Sequence, residues 1–242
     1  MAVLFIVGSP FFRLQQGVPD ATVFPAGIPS RDAWGALLDE FQPGETTPIQ
    51  VLVDTTADGT DPASVRAIMA YAASLGSLEG VDRVEGPFAI LDPATGALLD
   101  ADAVAQLYAA PAGILPPQLE SARDALRDAY IRDSTVRLDV VSPLRPTTPA
   151  GTAVVPEVRA VDPGDGIERV LVGGSAAISA DFLSAQNDRM PWAVGTTLLA
   201  SAVILFLLFG SLAIPIKAVI MTLLSLSASF GALVWIFQEG NL

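Results

Sequence analysis

The sequence predicts an α/β (α+β) domain with a helical insertion, followed by transmembrane α-helices. Three observations carry this. The composition changes abruptly at Pro191, from a charged, mixed segment to apolar runs. Ser134 to Ser142 (STVRLDVVS) alternates strictly, with Val136, Leu138 and Val140 facing one way and Arg137 and Asp139 the other, the signature of a half-buried strand. Before Pro191 the elements also run strand, helix, strand, then a helical stretch, then strand, helix, strand.

Along the chain, Met1 to Phe12 (MAVLFIVGSPFF) is apolar but short of the roughly 20 residues that cross a bilayer. It lacks the basic start and small-residue cleavage site of a signal peptide. Residues 1–16 therefore read as the end of a truncated transmembrane helix, with Arg13 snorkelling at its interface; a poor signal peptide or a new start site is the competing reading. Gly17 to Pro29 is a Pro/Gly-punctuated link. Ser30 reads as an N-cap for a helix over Arg31 to Phe41, whose face is Ala33, Trp34, Leu37, Leu38 and Phe41.

Ile49 to Asp54 (IQVLVD) reads as a strand. Asp61-Pro62 starts a helix with proline at its first position and Val65, Ile68, Met69, Ala72 and Leu75 on one face; Gly76 and Gly80 end it. Val81 to Phe88 is a short, poorly defined strand. Asp100 to Ala109 and Gln118 to Arg132 read as two more helices, the second with Leu119, Ala122, Leu126 and Ala129 on its apolar side. Val154, Val155, Val158 and Val161 hint at a helix weakened by Pro156. Glu168 to Val172 is the last strand, closed by Gly173-Gly174, and from Ser175 the chain reads helical. This order is the split β-α-β pattern of ferredoxin-like domains with a helical insertion. The expectation is a mixed sheet that buries Val136, Leu138 and Val140.

Trp192 to Phe209 has no charge in 18 residues and Ala218 to Phe237 none in 20; twenty helical residues reach about 30 Å, one hydrocarbon thickness. Residues 17–190 thus form an extracytoplasmic domain, 191–209 and 218–238 two transmembrane helices, 210–217 a cytoplasmic connector, and 239–242 the start of an extracytoplasmic loop. Lys217 favours the cytoplasmic side for the connector, while Trp192 and Trp235 suit one outer aromatic belt. Thr222, Ser225 and Ser229, continued by Ala232, lie on one stripe of the last helix. Small side chains there let backbones approach, so they read as a helix-packing face, with a substrate or proton path as the sharper alternative.

Composition narrows the function. The chain has no cysteine and no histidine, which removes thiolate chemistry, the commonest metal ligand and the commonest general base near neutral pH. The acidic residues are scattered, so no catalytic residue, metal site or cofactor is expected. Asp20 to Arg189 holds 25 acidic residues against 11 basic ones, a charge of −14; such a surface disfavours nucleic acid. Neither apolar run has an Asp, Glu, His or Arg in its middle, so neither holds the ionisable group that a proton relay needs.

Several strings carry a family resemblance: Val172-Gly173-Gly174-Ser175-Ala176-Ala177 with Asp181; Phe209-Gly210-Ser211-Leu212-Ala213-Ile214-Pro215-Ile216-Lys217-Ala218; and Leu224 to Gly231 with Val234 to Gln238 and Gly240. Together they resemble the C-terminal half of MMPL-type (mycobacterial membrane protein large) transporters of the RND superfamily. Gly17-Val18-Pro19-Asp20, Pro25-Ala26-Gly27 and Pro29-Ser30-Arg31 look like the entry to that family's second porter domain. Gly210 and Ala176 depart from it where arginine and threonine are common. The resemblance implies a fragment of a proton-motive-force-driven exporter of lipids or other hydrophobic compounds, in the cell (inner) membrane. It also implies the rest of the transporter and membrane lipid as partners, leaves room for a homo-oligomer, and puts the proton relay after Leu242. A membrane-anchored binding or sensor module and the permease core of another transporter class are the alternatives.

Overall fold

The computed structural model describes residues 6–14, 17–91, 96–111 and 113–241. The chain divides into two compact units: Gly17–Asp181, and Met1–Gln16 together with Phe182–Leu242.

The first unit is built on a sheet of β1 (Ile49–Thr55), β2 (Arg83–Glu85), β3 (Ile131–Arg132), β4 (Thr135–Val141) and β5 (Ile167–Gly173). The strand order is β2-β4-β1-β5, with β3 pairing β4. Alternation sets the register. Ile49, Val51 and Val53 lie opposite Val140, Leu138 and Val136, and all six are buried. This face buries Val136, Leu138 and Val140 as expected. The mixed sheet is corrected: every ladder is antiparallel. Each strand-helix-strand crossover makes its two strands parallel to each other but leaves a gap between them, and a strand of the other crossover fills it. β4 sits between β1 and β2, and β1 between β4 and β5, so no parallel neighbours arise.

Two crossover helices supply the other half of the core. α3 (Pro62–Gly76) buries Val65, Ile68, Tyr71 and Leu75, with Pro62 at its start; Asp61 stands at the cap position without a side-chain hydrogen bond. α6 (Pro149–Ala160) buries Val154, Val155 and Val158. Thr148 caps α6 by accepting a hydrogen bond from the Gly151 N–H at 3.2 Å. The helix runs through Pro156, which is exposed. The helix starts at Pro149.

The remaining helices differ in detail. α1 (Pro29–Glu40) starts two residues earlier than expected, with Ile28 at the cap position and Ser30 inside the first turn, and none of its residues is buried. α2 (Pro43–Thr46) is a single turn. α4 (Ala101–Ala109) is capped by Asp100. α5 (Pro117–Tyr130) follows, and its fully buried residue is Arg123; of the expected apolar face, Leu119 and Leu126 are half-buried and Ala122 and Ala129 are exposed. The Arg123 Nη1 donates to the carbonyls of Leu107 and Ala110 at 3.4 and 3.1 Å. Those carbonyls, at the end of α4, lack helical donors of their own. A long stem carrying five N–H groups satisfies them while filling apolar space.

The second unit holds α7 (Ser175–Phe209, shared with the first unit through its opening turns) and α8 (Ala213–Leu233), continued by a π-helical turn, Val234–Gln238. Both are long and apolar enough to cross a membrane. Gly210 takes φ +62°, a left-handed conformation natural for glycine after a helix. Because α8 begins at Ala213, Lys217 lies within it and the helix-free link is Gly210 to Leu212. Residues 6–8 are helical and Ser9–Arg13 form a 3₁₀ turn; the rest of the expected N-terminal helix end, residues 1–5 and 15–16, lies outside the described residues.

Candidate functional site

An apolar cleft of about 380 Å³ opens on the first unit between α3, the edge strand β2 and the segment that follows it. Met69, Ala72 and Ala73 of α3 form one wall, Val84 and Gly86 the other, and Phe88 with Leu99 the floor. The cleft exists because β2 is only three residues long, so the sheet covers less of α3 there. Leu138 packs close against Gly86: a Cβ there would stand 2.7 Å from the Leu138 Cδ2, and that side-chain end would have to shift to admit it. Phe88 is held edge-on to Tyr108, with ring centroids 5.1 Å apart, and the Tyr108 hydroxyl donates to the Pro87 carbonyl at 2.8 Å. Burial pushes that phenol up to about 12, so it stays neutral.

The rim is charged. Arg83 Nε pairs with Glu85 at 2.8 Å, and its other nitrogens reach Asp82 at 3.0 Å and Glu45 at 3.2 Å. An apolar chamber with a charged lip suits an amphiphilic ligand: burying its hydrocarbon is favourable in proportion to the area covered, and its polar end stays at the lip.

The opposite face of the sheet is polar at the strand ends and apolar at its centre. Leu52 and Leu171 are cross-strand partners and both are exposed. Asp54 accepts from the Thr135 hydroxyl at 2.7 Å and from Arg169 Nη2 at 2.7 Å. These bonds, the Thr135 one first, hold its carboxyl below the usual aspartate range. Arg159 grips Asp181 with two hydrogen bonds, at 2.6 and 3.0 Å.

In the second unit the intimate contact is between the N-terminal segment and α8. A Cβ on Gly231 would overlap the Val7 carbonyl oxygen and stand 2.9 Å from the Gly8 Cα, and one on Gly8 would meet Ser227 and Ala228 at 3.2 to 3.3 Å. Phe11 packs on Phe230 at 6.0 Å between centroids. Arg13, expected to snorkel, pairs with Glu239 at 2.8 Å.

Thr222, Ser225 and Ser229 lie on α8, all exposed within this chain. Within this chain the residues of α8 and its π-helical turn in close contact are Ser227, Ala228, Gly231 and Val234. Trp192 and Trp235 are exposed on α7 and in the π-helical turn. The sequence reading missed the cleft and the Gly8–Gly231 contact. Gly231 stood inside one of the quoted motifs, yet nothing local says which side of a helix a glycine opens. Among the described residues, no group of three acidic side chains is arranged to hold a metal ion.

The model of the MMPL family matches residues 22–242. The Streptomyces coelicolor membrane protein SCO6666 is 46% identical over 94 residues, which is 39% of this chain and 13% of that protein. The trehalose monomycolate exporter MmpL3 of Mycolicibacterium smegmatis is 38% identical over 87 residues, 36% of this chain and 8% of the exporter. Similarity to the membrane protein YdfJ of Bacillus subtilis runs at 24% identity over 240 residues, 99% of this chain and 27% of that protein. The chain therefore spans about a quarter or less of the length of these relatives.

Proposed function

The chain belongs to the MMPL family, and from that premise we propose that it supplies the second porter domain and two membrane helices of an exporter of lipids or other hydrophobic compounds. The apolar cleft with its charged rim carries the substrate class: it offers hydrocarbon surface to a tail and ion pairs to a headgroup. The name of MmpL3, a trehalose monomycolate exporter, describes an amphiphile of that kind.

The export is driven by the proton motive force, and the coupling groups lie outside this chain. Supporting this, the middles of both apolar runs carry no Asp, Glu, His or Arg, and ionisable groups at membrane depth are what proton relays are built from. The transporter sits in the cell membrane as a multi-pass protein. Lys217 supports a cytoplasmic end, and Trp192 and Trp235 an outer interface, with residues 17–190 on the extracytoplasmic side.

The test uses the full-length transporter in proteoliposomes with an imposed pH gradient and a fluorescent amphiphile. Gradient-dependent flux is expected, lowered by Ala73→Glu, which places a charge on the exposed lip of the cleft without touching the core. Flux that ignores both the gradient and this substitution refutes the reading.

A further inference from the structure

Asp139 has an environment that neither the fold nor the transport reading uses. Among the described residues it is the only carboxylate with less than a tenth of its surface exposed, at 8%. It lies on β4, directly opposite Glu85 of β2 and Gln50 of β1. Arg137 Nη2 approaches its Oδ2 at 3.3 Å. Its Oδ1 accepts no hydrogen bond, the Nε of Arg137 donates none, and both atoms are buried. Buried polar atoms without partners are uncommon, and a carboxylate oxygen in that position favours the form that needs less solvation.

The surrounding charges are few. On β4, Arg137 also lies over the Tyr130 ring of α5, its guanidinium carbon 4.7 Å from the centroid. On β2, Glu85 is bound by Arg83, which also holds Asp82 and, from α2, Glu45. β1 presents the uncharged Gln50.

We propose that Asp139 is a proton-binding site that governs how firmly the edge strand β2 is held to β4: protonated, it fastens the strand; ionised, it loosens it. Two carboxylates directly opposite on an antiparallel pair repel each other, and Asp139 is the buried member of the pair. Burial first, and then Glu85, pushes its carboxyl above the usual aspartate range, against the pull of Arg137. On protonation the repulsion vanishes and the new O–H is a donor, while Arg137 keeps the face of Tyr130. The folded state holds this proton more tightly than the unfolded chain does. Stability is therefore lost as pH rises from the ordinary aspartate value through the folded one. β2 walls the apolar cleft through Arg83 to Gly86. The consequence for a ligand, a cleft wall that answers to pH, rests on the transport reading; the proton site itself does not.

The test is made on the full chain in detergent micelles, without any transport assay. Carboxyl ¹³C resonances of labelled aspartate are titrated, with Asp139→Asn assigning the Asp139 signal. Hydrogen exchange at residues 82–86 is followed over the same range and corrected for the intrinsic rate. The Asp139 midpoint is expected above the ordinary value of about 3.9. Protection of β2 is expected to fall about two- to five-fold as pH rises through that midpoint and to stay at its low-pH level in Asp139→Asn. Glu85→Gln gives an independent check should Asp139→Asn fold poorly: it lowers the midpoint and flattens the profile. A midpoint at or below the ordinary value, or a wild-type β2 whose protection ignores pH, overturns the proposal.

Discussion

Gly174→Ala gives a demanding test of how the sheet is built, because its neighbour supplies the control. Gly174 follows β5 with φ +94°, a conformation that costs an L-residue roughly 1–2 kcal/mol. A Cβ there would stand 2.7 Å from the Pro48 carbonyl oxygen, 3.2 Å from the Gln50 nitrogen and 3.5 Å from the Ile49 Cα. All three are backbone atoms at the start of β1, held by ladders to β4 and β5 on either side, so they cannot swing away as a side-chain end would. Forcing such a shift adds about 1–3 kcal/mol. The total, about 2–5 kcal/mol, is a large share of the 5–15 kcal/mol that typically holds a domain. It corresponds to a fall in melting temperature of roughly 6–15 °C for a unit of this size. Gly173, one residue earlier, has no positive φ, and its Cβ would meet only the Gln50 carbonyl oxygen at 4.0 Å; Gly173→Ala should stay within about 1 kcal/mol of wild type. Hydrogen exchange of the β1 and β5 amides with temperature, in the full chain, reads the sheet without interference from the membrane helices. Equal effects of the two substitutions, or a neutral Gly174→Ala, would refute the reasoning.

Other outcomes follow from the same geometry. Leu75→Ala, at a fully buried position of α3, should cost about 2–5 kcal/mol, whereas Leu52→Ala on the exposed sheet face should stay within about 0.5 kcal/mol; denaturant titration separates them. Asp54 holds its proton less tightly folded than unfolded, so its stabilisation is present above the ordinary aspartate value and is lost as pH falls through the lower folded one. Asp54→Asn should therefore flatten the acid limb of a stability-versus-pH curve. Gly231→Leu should lower the melting temperature of this chain in detergent, since even a Cβ overlaps Val7. Ser229→Leu should leave the isolated chain unchanged and lower only the stability of the full-length transporter. Reconstituted alone, the chain should show no gradient-dependent flux, and robust flux would place coupling within it.

The sequence by itself determined what depends on local pattern. Val136, Leu138 and Val140 were legible because a strand has period two, and their burial follows from it. The α3 face was legible because a helix repeats every 3.6 residues. The two apolar helices were legible from length and charge alone, and the family from motifs around Gly174, Lys217 and Gly231. Tertiary structure decided what depends on elements far apart in the chain. All-antiparallel pairing follows from two crossovers interleaving, which no window of sequence reports. Arg123 is buried because the end of α4 needs donors, so a rule that sends charge outward misplaces it. Asp139 was correctly assigned to the face opposite Leu138. Its partner on that face is Glu85 of β2, 54 positions earlier in the chain, a pairing that no local pattern reports. The cleft, likewise, is left by a strand too short to cover α3, and a cavity between elements has no residue pattern of its own.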